Sequence, residues 1–152
     1  MRTIRPFGSE SAAFRRIPET LGDSELRVNV LFTDDEGTRT ALKQAVDLAS
    51  GLDAATRIIV PYIVPFPLPL NDPPVPLNFT CERIQCLAGS VGADPYVDLY
   101  LCRDRVDLLQ KILPPESIIV IGARKRWFPT RAERIARRLR KQGCDVLLAR
   151  YE

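Results

Sequence analysis

The sequence predicts an α/β fold of the three-layer, doubly wound type, with a five-stranded parallel sheet. Five short runs rich in β-branched and apolar residues alternate with four segments of helical apolar spacing. The fourth run, Ser117 to Ile121, is almost wholly apolar, as a strand covered on both faces must be. Each helical segment is bounded by its own start or stop signal, so each of the first four strands leads into a crossover helix, and right-handed crossovers place helices on both faces of the sheet. At 152 residues and 45% hydrophobic composition, the chain can close one core without metals or crosslinks.

The elements follow in order. Leu26 to Phe32 is the first strand, and Thr33-Asp34-Asp35-Glu36-Gly37 is its turn. Ala41, Leu42, Ala45, Val46, Leu48, Ala49 and Leu52 form the inner stripe of the first helix, with Asp35 placed to cap its start and Gly51 near its end. Arg57 to Val64 is the second strand. Pro61 within it cannot donate a ladder hydrogen bond, which favours a strand edge, end or bulge. Seven prolines between Pro61 and Pro76 rule out a helix after Val64 and predict an extended surface connection, which explains these residues more simply than a proline-rich ligand for another domain does. Asn78 is expected to cap a helix carrying Ile84, Leu87, Ala88 and Val91, closed by Gly89 or Gly92. Tyr96 to Cys102 is the third strand. Asp104 opens a helix through Leu108, Leu109, Ile112 and Leu113, and Pro114-Pro115 stops it. Thr130-Arg131-Ala132-Glu133 reads as a capping box: the Thr hydroxyl accepts from the Glu133 amide while the Glu carboxylate reaches back. Ala132, Ile135, Ala136 and Leu139 face inward from the helix that follows, Gly143 ends it, and Asp145 to Tyr151 is the fifth strand. Residues 1–25 fall outside this pattern and read as a flexible N-terminal arm before a domain spanning 26–152.

Composition excludes several functions. The chain has no histidine, so the usual general base for a Ser or Cys nucleophile and the commonest zinc ligand are both missing. Cys81, Cys86, Cys102 and Cys144 match no CxxC redox or zinc spacing and read as reduced core thiols. No apolar run is long enough to cross a bilayer, and the first 25 residues lack the apolar centre of a secretory signal, so the expectation is a cytoplasmic protein without a membrane partner. The glycosylation pattern Asn78-Phe79-Thr80 carries no meaning in that compartment. There is no GxxxxGK[ST] loop, no GxGxxG fingerprint and no convincing carboxylate pair, so the sequence offers no catalytic constellation.

Three stretches together resemble the universal stress protein family. The first strand running into Thr33-Asp34-Asp35 and Arg39-Thr40-Ala41-Leu42 is similar to that family's opening strand, acidic turn and first helix. Tyr62-Ile63-Val64-Pro65 is similar to its usual second-strand ending. Ala132-Glu133-Arg134-Ile135 and Cys144-Asp145-Val146-Leu147-Leu148 resemble its last helix and last strand. The resemblance covers roughly residues 26 to 151. It implies a Rossmann-like fold of the adenine nucleotide alpha hydrolase type, strand order 3-2-1-4-5, and a nucleotide site at the carboxyl ends of strands one and four, the switch point where such sheets bind ligands.

The expected phosphate loop departs from the family's pattern. ATP-binding members carry Gly-x2-Gly-x9-Gly followed by Ser or Thr, because glycines let backbone amides approach the phosphates at a helix N-terminus. Gly122 matches the first position, but Lys125 stands at the second. Aligning Thr130 with the family's Ser puts Pro129 on the last glycine and leaves the loop six residues short. Proline brings no amide hydrogen to a phosphate. The resemblance places Thr33 or, with a shift of one, Asp34 at the family's ribose- and base-contacting acid, while a turn and helix-cap role explains Asp34 and Asp35 equally well. The candidate nucleotide or phosphate residues are Thr33, Asp34, Val64, Gly122, Arg124, Lys125, Arg126 and Thr130, and the ligands that fit are ATP, AMP or phosphate itself. Trp127 and Phe128 could stack on a base or pack on a partner.

Charge is unevenly placed. Residues 122 to 152 carry ten Lys or Arg against three Asp or Glu, a net +7, so the rest of this +3 chain is at −4. Arg131, Arg134, Arg137, Arg138, Arg140 and Lys141 fill the positions left by the apolar stripe of the last helix, an ordinary solvated face or a nucleic-acid contact. The resemblance also implies a homodimer paired through Val146 to Ala149 of the last strand, since an apolar edge strand needs a partner or a cover. The function expected is a non-catalytic stress-response or regulatory module with an altered nucleotide pocket. The alternatives are a nucleotide- or phosphate-binding protein using Arg124, Lys125, Arg126 and Thr130, or a nucleic-acid-associated protein using the basic helix 131–141.

Overall fold

A computed structural model describes residues 14–17, 26–65, 67 and 77–152. The elements are β1 (Phe14–Ile17), β2 (Arg27–Leu31), α1 (Asp35–Leu52), β3 (Ala55–Ile63), α2 (Leu77–Ser90), β4 (Tyr96–Cys102), α3 (Arg105–Ile112), β5 (Ile118–Arg124), α4 (Arg131–Lys141) and β6 (Asp145–Tyr151). Most of the expected arm and proline-rich connection lie outside the described residues.

Five parallel strands run in the order β4-β3-β2-β5-β6, which is the 3-2-1-4-5 order expected for the five predicted strands. A sixth was not predicted: β1, within the arm, pairs antiparallel with β4 from Phe14 opposite Cys102 to Ile17 opposite Leu99. Strand residues alternate between two cores. Val30, Ile58, Val60 and Val120 pack beneath α1 and α2 with Leu42, Ala45, Ile84 and Ala88. Leu31, Ile59, Ile119 and Ile121 face α3 and α4 with Leu108, Leu109, Ile135 and Leu139. That alternation explains why the strands read as continuous apolar runs. Each buried Leu or Ile contributes about 1.5–3 kcal/mol relative to exposure.

Several boundaries differ from expectation for local reasons. The cap of α1 is Asp34, not Asp35; its carboxylate accepts from the Gly37 amide at 2.7 Å. The left-handed residue closing α1 is Asp53, with φ of 51°, rather than Gly51. Asn78, expected at the cap position, lies inside α2, one residue past its start at Leu77. Pro61 sits where β3 has outrun β2, whose pairing ends with Leu31 opposite Ile59, so its missing amide costs no ladder bond on that side. β5 continues three residues beyond Ile121, to Arg124, and carries Gly122 inside the sheet. Asp104 caps α3 as expected, and the capping box at Thr130 is formed in both directions.

Cys86, Cys102 and Cys144 are free thiols. Burial pushes the Cys102 thiol up to about 11, so it is protonated and inert near neutrality.

Candidate functional site

The doubly wound topology brings the N-termini of α1, α3 and α4 to the carboxyl end of the sheet, beside the ends of β2, β5 and β6. A cavity of about 320 Å³ opens there, lined by Thr33, Asp34, Gly122, Arg124, Arg126, Thr130 and Tyr151, with Arg105, Arg131, Ala132 and Ile135 from α3 and α4. Six of the eight candidate residues therefore meet. Lys125 and Val64 do not line it. The Lys125 ammonium turns to Glu152 at 3.5 Å, and its amide extends the β5–β6 ladder by donating to the Tyr151 carbonyl at 2.8 Å. Val64 is fully buried, with its amide donating to Cys102 and its carbonyl accepting from Arg103.

Gly122 has a packing role that the phosphate-loop alignment did not reveal. A Cβ there would overlap the backbone of Gly37, so the glycine lets the first turn of α1 rest against β5. Gly37 is constrained in turn, since its own Cβ would meet Thr33 Oγ1 at 2.7 Å. The two glycines hold Thr33 and Asp34 at the cavity mouth.

Asp34 is already engaged. Besides capping α1, its carboxylate accepts the Tyr151 hydroxyl at 3.0 and 3.3 Å. Burial, and then that carboxylate, hold the Tyr151 phenol above its ordinary value. Arg124 lies over the Tyr151 ring with its guanidinium carbon 5.9 Å from the centroid. The acid that the resemblance assigns to ribose or base thus serves as a helix cap and a tyrosine acceptor.

The rest of the lining is cationic. Arg105 and Arg131 are the first residues of α3 and α4, and Arg124 and Arg126 flank the end of β5. An arginine at a helix N-terminus opposes the helix dipole, at a cost of about 0.3–1 kcal/mol, so two such placements in one cavity run against stability. Burial and then the Arg131 charge lower the proton affinity of Arg105. Arg105 Nε and Thr33 Oγ1 are both buried without a hydrogen-bond partner. Unsatisfied buried polar atoms are uncommon in native proteins, and these two line the same cavity.

Arg105 and Tyr151 were missed by sequence reasoning, and Arg131 was assigned only to the basic helix. The usable signal was topological: in a doubly wound sheet, the first residues of α3 and α4 must face the same crevice, and Asp104 and Thr130 mark both starts in the sequence. Trp127 and Phe128, beside the cavity, are 100% and 80% exposed, so they do not pack onto the domain.

This fold is shared with a solved structure described as a universal stress protein in complex with cAMP. It superposes with a TM-score of 0.51 at 19% identity, covering 84% of this chain and 98% of that one. No family model matches the sequence, and no curated protein matches it. The chain thus has the three-layer α/β fold of a universal stress protein. The likeness is one of architecture, carried by the five parallel strands and their order.

Proposed function

We propose that this protein is a non-catalytic regulatory module of universal stress protein type, whose ligand is a phosphate-bearing small molecule of the nucleotide class. The observation that carries the proposal is the convergence of Arg105, Arg124, Arg126 and Arg131 on one cavity that also holds two unpartnered polar atoms, Arg105 Nε and Thr33 Oγ1. A bound phosphate accepts from the guanidinia in charge-assisted hydrogen bonds and offsets the dipole cost of arginines at two helix starts. The similar structure holds cAMP, which supports the ligand class.

The family's glycine cradle for a triphosphate has no counterpart, because Lys125 and Pro129 replace two glycines and Gly122 is committed to packing. Side-chain arginines take over from backbone amides in this reading, and a single phosphate group suits the cavity better than a triphosphate chain. Thermal unfolding with AMP, cAMP, ATP and inorganic phosphate tests it. At millimolar ligand, AMP or cAMP raises Tm by several degrees in the wild type and not in R124A/R126A. No shift with any of the four ligands refutes the reading.

The module is proposed to act in the cytoplasm as a homodimer through β6. Among the described residues β6 has a strand neighbour only in β5, and Leu147 on it is 37% exposed. No helix among the described residues is long and apolar enough to cross a membrane. Light scattering on a size-exclusion column tests the assembly: a dimer is expected for the wild type and a monomer for Leu147→Arg.

A further inference from the structure

The nucleotide cavity is one end of a longer groove. A second cavity, of about 470 Å³, shares Arg105, Arg131 and Ile135 with it and continues between α3 and α4. Ile63, Val106 and Ile135 give this stretch an apolar floor, and Arg103, Arg134 and Arg138 add cations around it. Its one acid, Asp104, is held as the cap of α3, accepting from the Asp107 amide at 2.8 Å. Arg131, Arg134 and Arg138 stand at i, i+3 and i+7 of α4, a row about 10 Å long at 1.5 Å per residue. At the other end, the loop from Arg124 to Thr130 carries the exposed Trp127 and Phe128 between its basic residues and the α4 cap.

A single phosphate occupies only one end of this row. Apolar hollow, guanidinium row and exposed aromatic pair together match a repeating ligand in which flat rings alternate with anions. We propose that the groove binds single-stranded nucleic acid, with phosphates along Arg131, Arg134 and Arg138, a base on the apolar floor, and a second base stacked on Trp127 or Phe128. A duplex hides its base faces from such a groove, and a flat bilayer surface follows a concave one less closely than a single strand does. The inference goes beyond the mononucleotide reading and does not need it, because Arg134 and Arg138 lie outside the smaller cavity.

Trp127 is the sole tryptophan of the chain, so its fluorescence reports on this loop alone. The full chain is titrated with ten-nucleotide oligo(dT) and oligo(U), with AMP, and with vesicles of phosphatidylglycerol and phosphatidylcholine. The oligomers are expected to quench Trp127 and to bind at least tenfold more tightly than AMP. In R134A/R138A, oligomer affinity falls at least tenfold and the slope of log affinity against log salt becomes shallower by about 1.4, for two lost single-strand phosphate contacts. AMP binding to that variant, read by the thermal shift, stays within twofold. Followed by anisotropy of a labelled oligomer, W127A binds five- to a hundredfold more weakly.

Oligomers that bind no better than AMP, or an R134A/R138A variant that binds them unchanged, overturn the proposal. Binding to vesicles but not to oligomers also overturns it and makes the face a lipid surface. Oligomer binding without AMP binding leaves the groove standing and removes the mononucleotide reading.

Discussion

Arg57 and Arg105 lie at opposite ends of the same sheet, and their surroundings differ in kind. At the amino end, Arg57 is 6% exposed and held by protein acceptors: Nε donates to Asn29 at 2.8 Å and Nη1 to Asp98 at 3.1 Å, while the Asn29 amide donates to the Ile118 carbonyl at 2.9 Å. One buried network thus ties β2, β3, β4 and β5 in register. At the carboxyl end, Arg105 feels the Arg131 charge more strongly than the neighbouring Asp104 carboxylate, and its Nε has no hydrogen-bond partner. The Arg57 guanidinium has a carboxylate and an amide oxygen of the protein as partners, whereas the partly buried Arg105 has none at Nε, where the proposed anion would bind.

The contrast breaks most visibly at Asp98, which is 1% exposed. Asp98→Ala strips a buried guanidinium of its counter-charge and is expected to cost about 3–5 kcal/mol, read as a shift in denaturant midpoint. An effect below 1 kcal/mol removes the structural role assigned to this end.

Gly122→Ala comes next. Its methyl group meets the Gly37 backbone, which cannot yield without moving α1, so about 1–3 kcal/mol of stability is lost. Because Thr33 and Asp34 move with α1, ligand affinity falls as well. A stable variant with unchanged affinity contradicts the close packing of α1 on β5.

Thr130→Ala removes the cap of α4 and costs about 1 kcal/mol in the same assay. Since Thr130 also lines the cavity, the substitution weakens AMP binding by more than stability alone accounts for.

The smallest effect is a pH dependence. Tyr151 has a raised value in the folded state, so the protonated phenol is favoured there. Its contribution is complete below the ordinary phenol range near pH ~10 and is lost as pH rises through the higher folded value. Tyr151→Phe is expected to flatten the alkaline limb of the stability profile. An identical slope in both proteins removes the Asp34 bond from the account.

Much of this was legible in the sequence, and unevenly so. The five parallel strands, the Asp104 cap and the Thr130 capping box follow from apolar spacing and cap chemistry, which are local. β1 was not legible, because Phe-Arg-Arg-Ile shows no alternation and gains strand form from the edge of β4. Asp34 rather than Asp35 became the cap because the choice depends on where Gly37 rests against Gly122, a contact between residues 85 positions apart. The site was half legible. The basic loop could be seen, but its engagement by Tyr151 and the meeting of Arg105 with Arg131 are products of topology. Val64 entered the candidate set through the family resemblance and Lys125 through its charge in the basic loop, while core packing and the β5–β6 ladder placed them elsewhere.

The central claim is that Arg105 awaits an anion, and calorimetric titration of AMP into wild-type protein and Arg105→Ala tests it most directly. The account predicts one site per chain in the wild type and an affinity at least tenfold weaker in the variant, with a stability close to that of the wild type because the buried Nε that is removed has no hydrogen-bond partner. Equal affinity in the two proteins, or no heat from the wild type at millimolar AMP, would contradict it.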